Sequence, residues 1–162
     1  MTEFPSVTKY MASRLITFRP DTPIHTAIDT ILKRKISGAP VVDNDYHLVG
    51  MLSEVDCLKI LVELSYSRQP QTGSLVSDYM STQMITLDAS KTVVDAAYVF
   101  VKQGIKRLPV LDNGKLIGQI SRRDVLRAIQ NMDPKIKLVP DSWRGRVPVV
   151  EDNKKSRYTE NA

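Results

Sequence analysis

One stretch of this chain occurs twice, and that duplication restricts its fold more than anything else in the sequence. The run Ile36-Ser-Gly-Ala-Pro-Val-Val-Asp-Asn-Asp-Tyr-His-Leu-Val-Gly-Met-Leu-Ser-Glu-Val-Asp56 is matched by Ile105-Lys-Arg-Leu-Pro-Val-Leu-Asp-Asn-Gly-Lys-Leu-Ile-Gly-Gln-Ile-Ser-Arg-Arg-Asp124. Pro40 and Pro109 stand 69 residues apart, whereas Gly50 and Gly118 stand 68 apart, so one residue is missing from the turn of the second copy. Two copies of one fold tolerate a change confined to a turn. The correspondence reaches upstream, because Val7-Thr-Lys-Tyr-Met11 and Val76-Ser-Asp-Tyr-Met80 are also 69 apart.

Each copy has the same order of local signals. Leu15–Phe18 and Met84–Leu87 are short apolar segments suited to a brief strand or an extended lead-in. In the first copy, Thr22 as N-cap and Pro23 at the first helical position predict a helix. Its buried face comprises Ile24, Ala27, Ile28, Ile31 and Leu32, with Asp29, Lys33 and Arg34 opposite. The second copy repeats this with Val93, Ala96, Ala97, Phe100 and Val101, capped by Ser90 and ended at Gly104 by a left-handed glycine. A hairpin follows in each, turning at Asp43–Tyr46 and at Asp112–Gly114, where Asn-Gly fits a primed turn. A second helix then carries Val55, Leu58, Leu61 and Val62 in one copy and Val125, Leu126, Ile129 and Met132 in the other. Gly50 and Gly118 read as strand positions that permit close backbone approach.

Each copy is therefore β-α-β-β-α, in a mixed α+β (α/β) chain, with repeats at 5–64 and 76–132 and a polar linker at 65–75. A unit of roughly 55 to 60 residues buries little surface alone, and two sharing a face remedy that. The tail, 133–162, has no third copy; its last ten or so residues are expected to be mobile. The part around Trp143 and Val147–Val150 is apolar enough to dock on its own core or on a partner.

Composition narrows the function classes. At 162 residues there is no room for a multidomain enzyme, and no apolar run reaches bilayer length. The start of the chain lacks the basic and apolar blocks of a secretory signal, and the single Cys57 forms no internal disulfide, so a cytoplasmic location is expected. The net charge of +5 is spread along the chain rather than gathered into a stripe, which argues against nucleic acid as a partner. Neither His25 nor His47 has other ligands at metal spacing, Cys57 reads as a small packing residue, and no nucleophile has a base beside it.

The segments Leu-Pro-Val-Leu-Asp and Leu-Ile-Gly-Gln-Ile-Ser-Arg-Arg-Asp, with Ala-Pro-Val-Val-Asp and Leu-Val-Gly-Met-Leu-Ser-Glu-Val-Asp in the first copy, resemble the cystathionine beta-synthase (CBS) domain family. The resemblance covers about residues 5–131. It implies a tandem pair with pseudo-twofold symmetry, two clefts between the repeats, and dimerisation into a flat disc. It further implies an adenosyl ligand: AMP, ADP, ATP (with magnesium possible) or S-adenosylmethionine. In the family the aspartate of Gly-x-x-Ser/Thr-x-x-Asp takes the ribose hydroxyls and the hydroxyl residue lies near the phosphate. Carried over, this assigns Ser53 and Asp56 to one cleft and Ser121 and Asp124 to the other, with Ile16 and Thr17, and Ile85 and Thr86, beside base and ribose.

The residues themselves admit a second reading. Ser-x-x-Asp before an apolar run is also a capping box, in which both side chains satisfy the helix's own donors. The second copy surrounds its motif with Lys106, Arg107, Arg122 and Arg123, suited to phosphate oxygens or to a solvated surface. The first copy has Ser37, Gly38, Glu54 and Val55 there, so its phosphate affinity is expected to be lower. Lys106 and Arg107 could serve either cleft. The expected function is a stand-alone regulatory module, not an enzyme, that binds an adenine nucleotide. The alternative is a ligand-free dimerisation or scaffold module presenting its tail to a protein partner.

Overall fold

The computed structural model describes residues 4–67 and 73–132. The first repeat contains α1 (Ile24–Arg34), β1 (Gly38–Val42), β2 (Leu48–Ser53) and α2 (Glu54–Ser67). The second contains α3 (Val76–Tyr79), β3 (Leu87–Asp88), α4 (Val93–Gln103), β4 (Arg107–Asp112), β5 (Lys115–Ser121) and α5 (Arg122–Asn131). Antiparallel pairing joins β1 to β2 and β4 to β5, with a register shift at Val41/Val42 and at the matching Val110/Leu111. The lead-in segments run parallel to the hairpins: β3 pairs with β4, while in the first repeat only Phe18 bridges to Val41. The two hairpins meet at a His47–Lys115 bridge, where Leu116 N–H donates to the Tyr46 carbonyl at 3.0 Å.

The opening segments are exchanged. The residues that begin each sequence repeat dock on the other repeat. Val7 N–H donates to the Lys91 carbonyl at 3.0 Å, Val93 N–H to Pro5 at 2.9 Å, and Ala12 and Gln119 exchange both bonds at 2.9 Å. Reciprocally, Val76 N–H donates to Thr22 at 2.8 Å, Ile24 N–H to Ser74 at 3.0 Å, and Met51 and Ser81 exchange both bonds at 2.9 Å. Val76 and Tyr79 are buried among Phe18, Ile24, Ala27, Ile31, Val41 and Leu52 of the first repeat. Burying such side chains stabilises by about 1.5–3 kcal/mol each, so the exchange is a large part of each core.

The two glycines singled out in the strands are explained by this crossing. A Cβ on Gly50 would lie 2.6 Å from Met80 Sδ, and one on Gly118 would lie 2.5 Å from Met11 Sδ and 2.8 Å from the Ala12 carbonyl oxygen. The expected primed turn is present, with positive φ at Asn113 and Gly114, and Gly104 ends α4 with φ 66°.

Several expectations are corrected. Pro23, not Thr22, is the N-cap of α1, and the Thr22 hydroxyl accepts from Arg19 N–H instead, because the chain turns back before the helix starts. Thr92, not Ser90, caps α4, forming a capping box with Asp95 while Ser90 donates to Asp88. Helix α2 continues through Ser65–Ser67, the stretch read as the start of the linker. The expected buried faces are too wide, since Leu32 and Val101 point outward, and on the second helices Val55, Leu58, Leu61, Val62, Leu126 and Ile129 are exposed as well. The inner faces are filled by Ile24, Ala27, Ile31, Val93, Ala96, Phe100, Val125 and Ala128, so a second apolar stripe on the same helices has no place in the core. The expectations for Trp143 and Val147–Val150 lie outside the described residues.

The two glycines differ in how closely a methyl would approach the backbone. A Cβ at either site meets a flexible methionine and a backbone carbonyl oxygen, but the oxygen lies at 3.2 Å (Ser81) for Gly50→Ala and at 2.8 Å (Ala12) for Gly118→Ala. Urea denaturation should give a loss of about 1–3 kcal/mol for Gly118→Ala and a smaller loss for Gly50→Ala.

Candidate functional site

Each hairpin's second strand ends on a serine and passes directly into a helix, so the serine hydroxyl and the first helical N–H groups come together at a strand end, where Glu54 N–H donates to the Ser37 carbonyl at 3.0 Å and Arg122 N–H to the Lys106 carbonyl at 3.3 Å. In the first repeat Asp56 Oδ2 accepts from Ser53 N–H at 2.9 Å and from Ser53 Oγ at 2.8 Å, while Ser53 Oγ accepts from Asp56 N–H at 3.2 Å. The second repeat repeats this between Ser121 and Asp124 at 2.8, 2.7 and 3.3 Å. The capping-box reading is thus realised in both copies. Asp56 and Asp124 are also the buried charged residues among those described.

The other carboxylate oxygen is held by a cation one helical turn on. Lys59 Nζ lies 3.0 Å from Asp56 Oδ1, and Arg127 Nη1 lies 2.6 Å from Asp124 Oδ1. Sequence reasoning missed both cations, although Asp-x-x-Lys and Asp-x-x-Arg at matching helix positions were a usable signal. A carboxylate offers about four acceptor positions, and three are in use here, so each aspartate retains capacity for one further donor.

The remaining candidates gather at the same strand ends. Arg107 pairs with Ser121 across β4–β5, and Gly38 pairs with Ser53 across β1–β2. Because the lead-ins run parallel to β1 and β4, Ile16 and Thr17 lie back from the Phe18–Val41 bridge toward Gly38. Ile85 and Thr86 likewise lie back from the Leu87–Val110 pair toward Arg107. Ile85 is exposed, and Ile16, Thr17 and Thr86 are half-buried. The difference at positions 38 and 107 has a steric cause, since a Cβ on Gly38 would lie 2.4 Å from the Leu52 carbonyl oxygen. No side chain fits there, while Arg107 is exposed.

Among the described residues, Lys106, Arg107 and Arg123 form no ion pair. Arg122 is differently placed: its Nε donates to the Ile105 carbonyl at 2.8 Å and its Nη2 to the Gly104 carbonyl at 2.7 Å. Cys57 packs against the first repeat's core, and its thiol is pushed up by burial and by the neighbouring Asp56 and Glu54 carboxylates. His47 pairs with Asp43 at 3.3 Å beside the turn. Among the described residues no cluster of side chains could hold a metal ion, and no helix is long and apolar enough to cross a membrane.

A family model for the CBS domain matches residues 7–63 and again 76–131, and the chain belongs to that family. It is a tandem CBS pair. The chain is 30% identical over 135 residues to the CBS domain-containing protein CBSX1, chloroplastic, of Arabidopsis thaliana, covering 68% of this chain and 57% of that protein. It is 35% identical over 114 residues to the inosine-5'-monophosphate dehydrogenase of Aquifex aeolicus, but that match covers only 22% of the enzyme against 69% of this chain. The chain thus spans less than two thirds of the length of these curated relatives. Among solved structures, CBSX2 in complex with AMP superposes with a TM-score of 0.67 at 32% identity, covering 78% of this chain and 96% of that one. The CBS domain pair of MJ0100, solved with 5'-methylthioadenosine and S-adenosyl-L-methionine, has the same fold, with a TM-score of 0.63 at 23% identity and coverage of 79% and 98%.

Burial alone would raise the Asp56 carboxyl, but donors from Lys59 and Ser53 outweigh it and hold the group below its usual value. A carboxyl whose folded-state pKa is lowered adds stability that is complete above the unfolded value of 3.8 and fades as pH falls through the folded one. Asp56→Asn should therefore cost about 1 kcal/mol at neutral pH, and the gap from wild type should close in acid denaturation series below pH 3.8.

Proposed function

We propose that the protein is a regulatory CBS-pair module that binds an adenine nucleotide at the ends of its β-hairpins and alters the packing of its repeats or its affinity for a partner in response. The observation that carries this reading is the pair of buried aspartates, each pre-organised at a helix start with one acceptor position left, with unpaired cations beside the second. A ribose hydroxyl can donate to that position, and a phosphate can take the backbone N–H of Arg123, those of Arg122 and Asp124 being already bonded, together with the side chains of Lys106, Arg107 and Arg123. CBSX2, a relative solved with AMP, supports the ligand class. Ile16 with Thr17 and Ile85 with Thr86 would flank base and ribose. Occupancy changes the repeats' relative packing only if one arrangement binds the nucleotide better.

The second motif is the stronger phosphate site in this reading. Ser121 and Asp124 have Arg107 across the ladder, whereas Ser53 and Asp56 face Gly38, where no side chain fits, and Glu54 adds a negative charge. Calorimetric titration with AMP, ADP, ATP and S-adenosylmethionine, with and without magnesium, tests the reading. Ligand at about a hundred times its dissociation constant should raise stability by roughly 2.7 kcal/mol, and no heat and no thermal shift at millimolar ligand would overturn it. Asp124→Ala should abolish the stronger binding event, while retention of that event would place it at Asp56.

The outward apolar residues favour a homodimer. Leu58, Leu61 and Leu32 correspond by repeat to Leu126, Ile129 and Val101, and exposures such as 62% for Leu58 and 63% for Leu126 leave them uncovered. Two equivalent apolar faces on one chain suit an isologous contact, in which the same surface of a second copy covers them. Leu58→Glu together with Leu126→Glu should yield a monomer in sedimentation velocity. A ligand-free scaffold role would instead leave the wild-type dimer intact with no response to any adenosyl compound. Truncation after Met132 then tests whether the tail serves the dimer or a partner.

A further inference from the structure

Besides Arg127 on Asp124, four cations surround the second motif, and one of these four is engaged differently from the rest. The guanidinium of Arg122 bridges the Gly104 and Ile105 carbonyls at 2.7 and 2.8 Å, and its backbone N–H donates to the Lys106 carbonyl at 3.3 Å. These are three consecutive acceptors beginning at Gly104, the C-cap of α4, where the helix end carries partial negative charge. Resting on the nucleotide reading above, we infer that Arg122 is a positioning residue for the phosphate end of the second cleft: it clamps the Gly104–Lys106 turn and thereby holds Lys106 and Arg107 in place for an anion.

The first repeat supplies the comparison. Glu54 occupies the position of Arg122, and its backbone N–H makes the matching bond to the Ser37 carbonyl at 3.0 Å. The backbone stitch is therefore common to both repeats, while the side-chain fork exists only where two cations follow. Lys106, at the end of the turn, and Arg107, the first residue of β4, are adjacent exposed like charges and repel one another. Holding them at one mouth costs conformational freedom, and a turn already clamped in the free protein reduces what the ligand must order. A planar fork spanning two carbonyls does this, and a lysine ammonium does it less well.

The full chain carrying Arg122→Gln, Arg122→Lys or Arg123→Gln tests the inference, with hydrogen exchange on the free protein and titrations with AMP and adenosine. In Arg122→Gln, amides of the Gly104–Leu108 segment should exchange about tenfold faster. AMP binding should weaken about two- to thirtyfold with adenosine binding unchanged, and Arg122→Lys should fall between. Arg123→Gln, which removes the same charge one residue away, should leave the exchange of that segment as in wild type. Loss of AMP affinity in Arg122→Gln without faster exchange would make Arg122 a direct phosphate ligand and overturn the inference. Faster exchange with AMP affinity intact, or equal losses for AMP and adenosine, would overturn it too. A wild-type chain that binds neither compound is the failure of the nucleotide reading itself, separable because the exchange measurement needs no ligand. In that case unchanged exchange in Arg122→Gln removes the clamp as well. Glu54→Arg, which offers the same fork to the Lys35–Ile36 carbonyls, should slow exchange at Lys35–Gly38.

Discussion

The reciprocal docking of the two opening segments is the constraint on which the rest of the molecule depends. Neither repeat closes its core with its own residues, since Val76 and Tyr79 fill the first and the Pro5–Ala12 segment is bonded to the second. The exchange also dictates Gly50 and Gly118, because a methionine from the other repeat crosses each strand at that point. Two units too small to be stable alone become one cooperative body through hydrogen bonds that run both ways.

The same symmetry delivers two equivalent strand ends, and small local differences make them unequal. Each places a serine and a buried aspartate at a helix start, and each aspartate is steadied by a cation one turn later. Close approach of the Leu52 carbonyl leaves room only for glycine opposite Ser53, whereas an arginine stands opposite Ser121. Divergence between the repeats is thus concentrated in charge, with the scaffold kept.

Much of the fold was legible in the sequence because repetition supplied an internal control: a pattern seen at 69-residue spacing is tested twice. The hairpins, the turn at Asn113–Gly114, the stop at Gly104 and the close approach at both strand glycines were all readable. Three things were not. An exchange of opening segments leaves no mark in a repeat's own periodicity, because Val76-Ser-Asp-Tyr looks the same whichever copy it packs on. Helices apolar on two sides could not be resolved into a core face and an outer face, so Leu32 and Val101 were placed inward. The caps were misplaced by one and two residues, since Thr22 and Ser90 bond locally within the approach to the helix. In the candidate site the serine and aspartate motifs were visible, but the fork of Arg122 on Gly104 and Ile105 depends on a contact 17 and 18 residues away.

The exchange also sets an order of events during synthesis. The Pro5–Ala12 segment leaves the ribosome ahead of both hairpins but finds its partners only when Lys91, Val93 and Gln119 exist, so both repeats must be made before it can bond. The first repeat's core likewise waits for Val76 and Tyr79. Closing such long loops is slow relative to local helix and hairpin formation. The nascent first repeat therefore spends its early life with an open core, and completion of the second is the step that seals both.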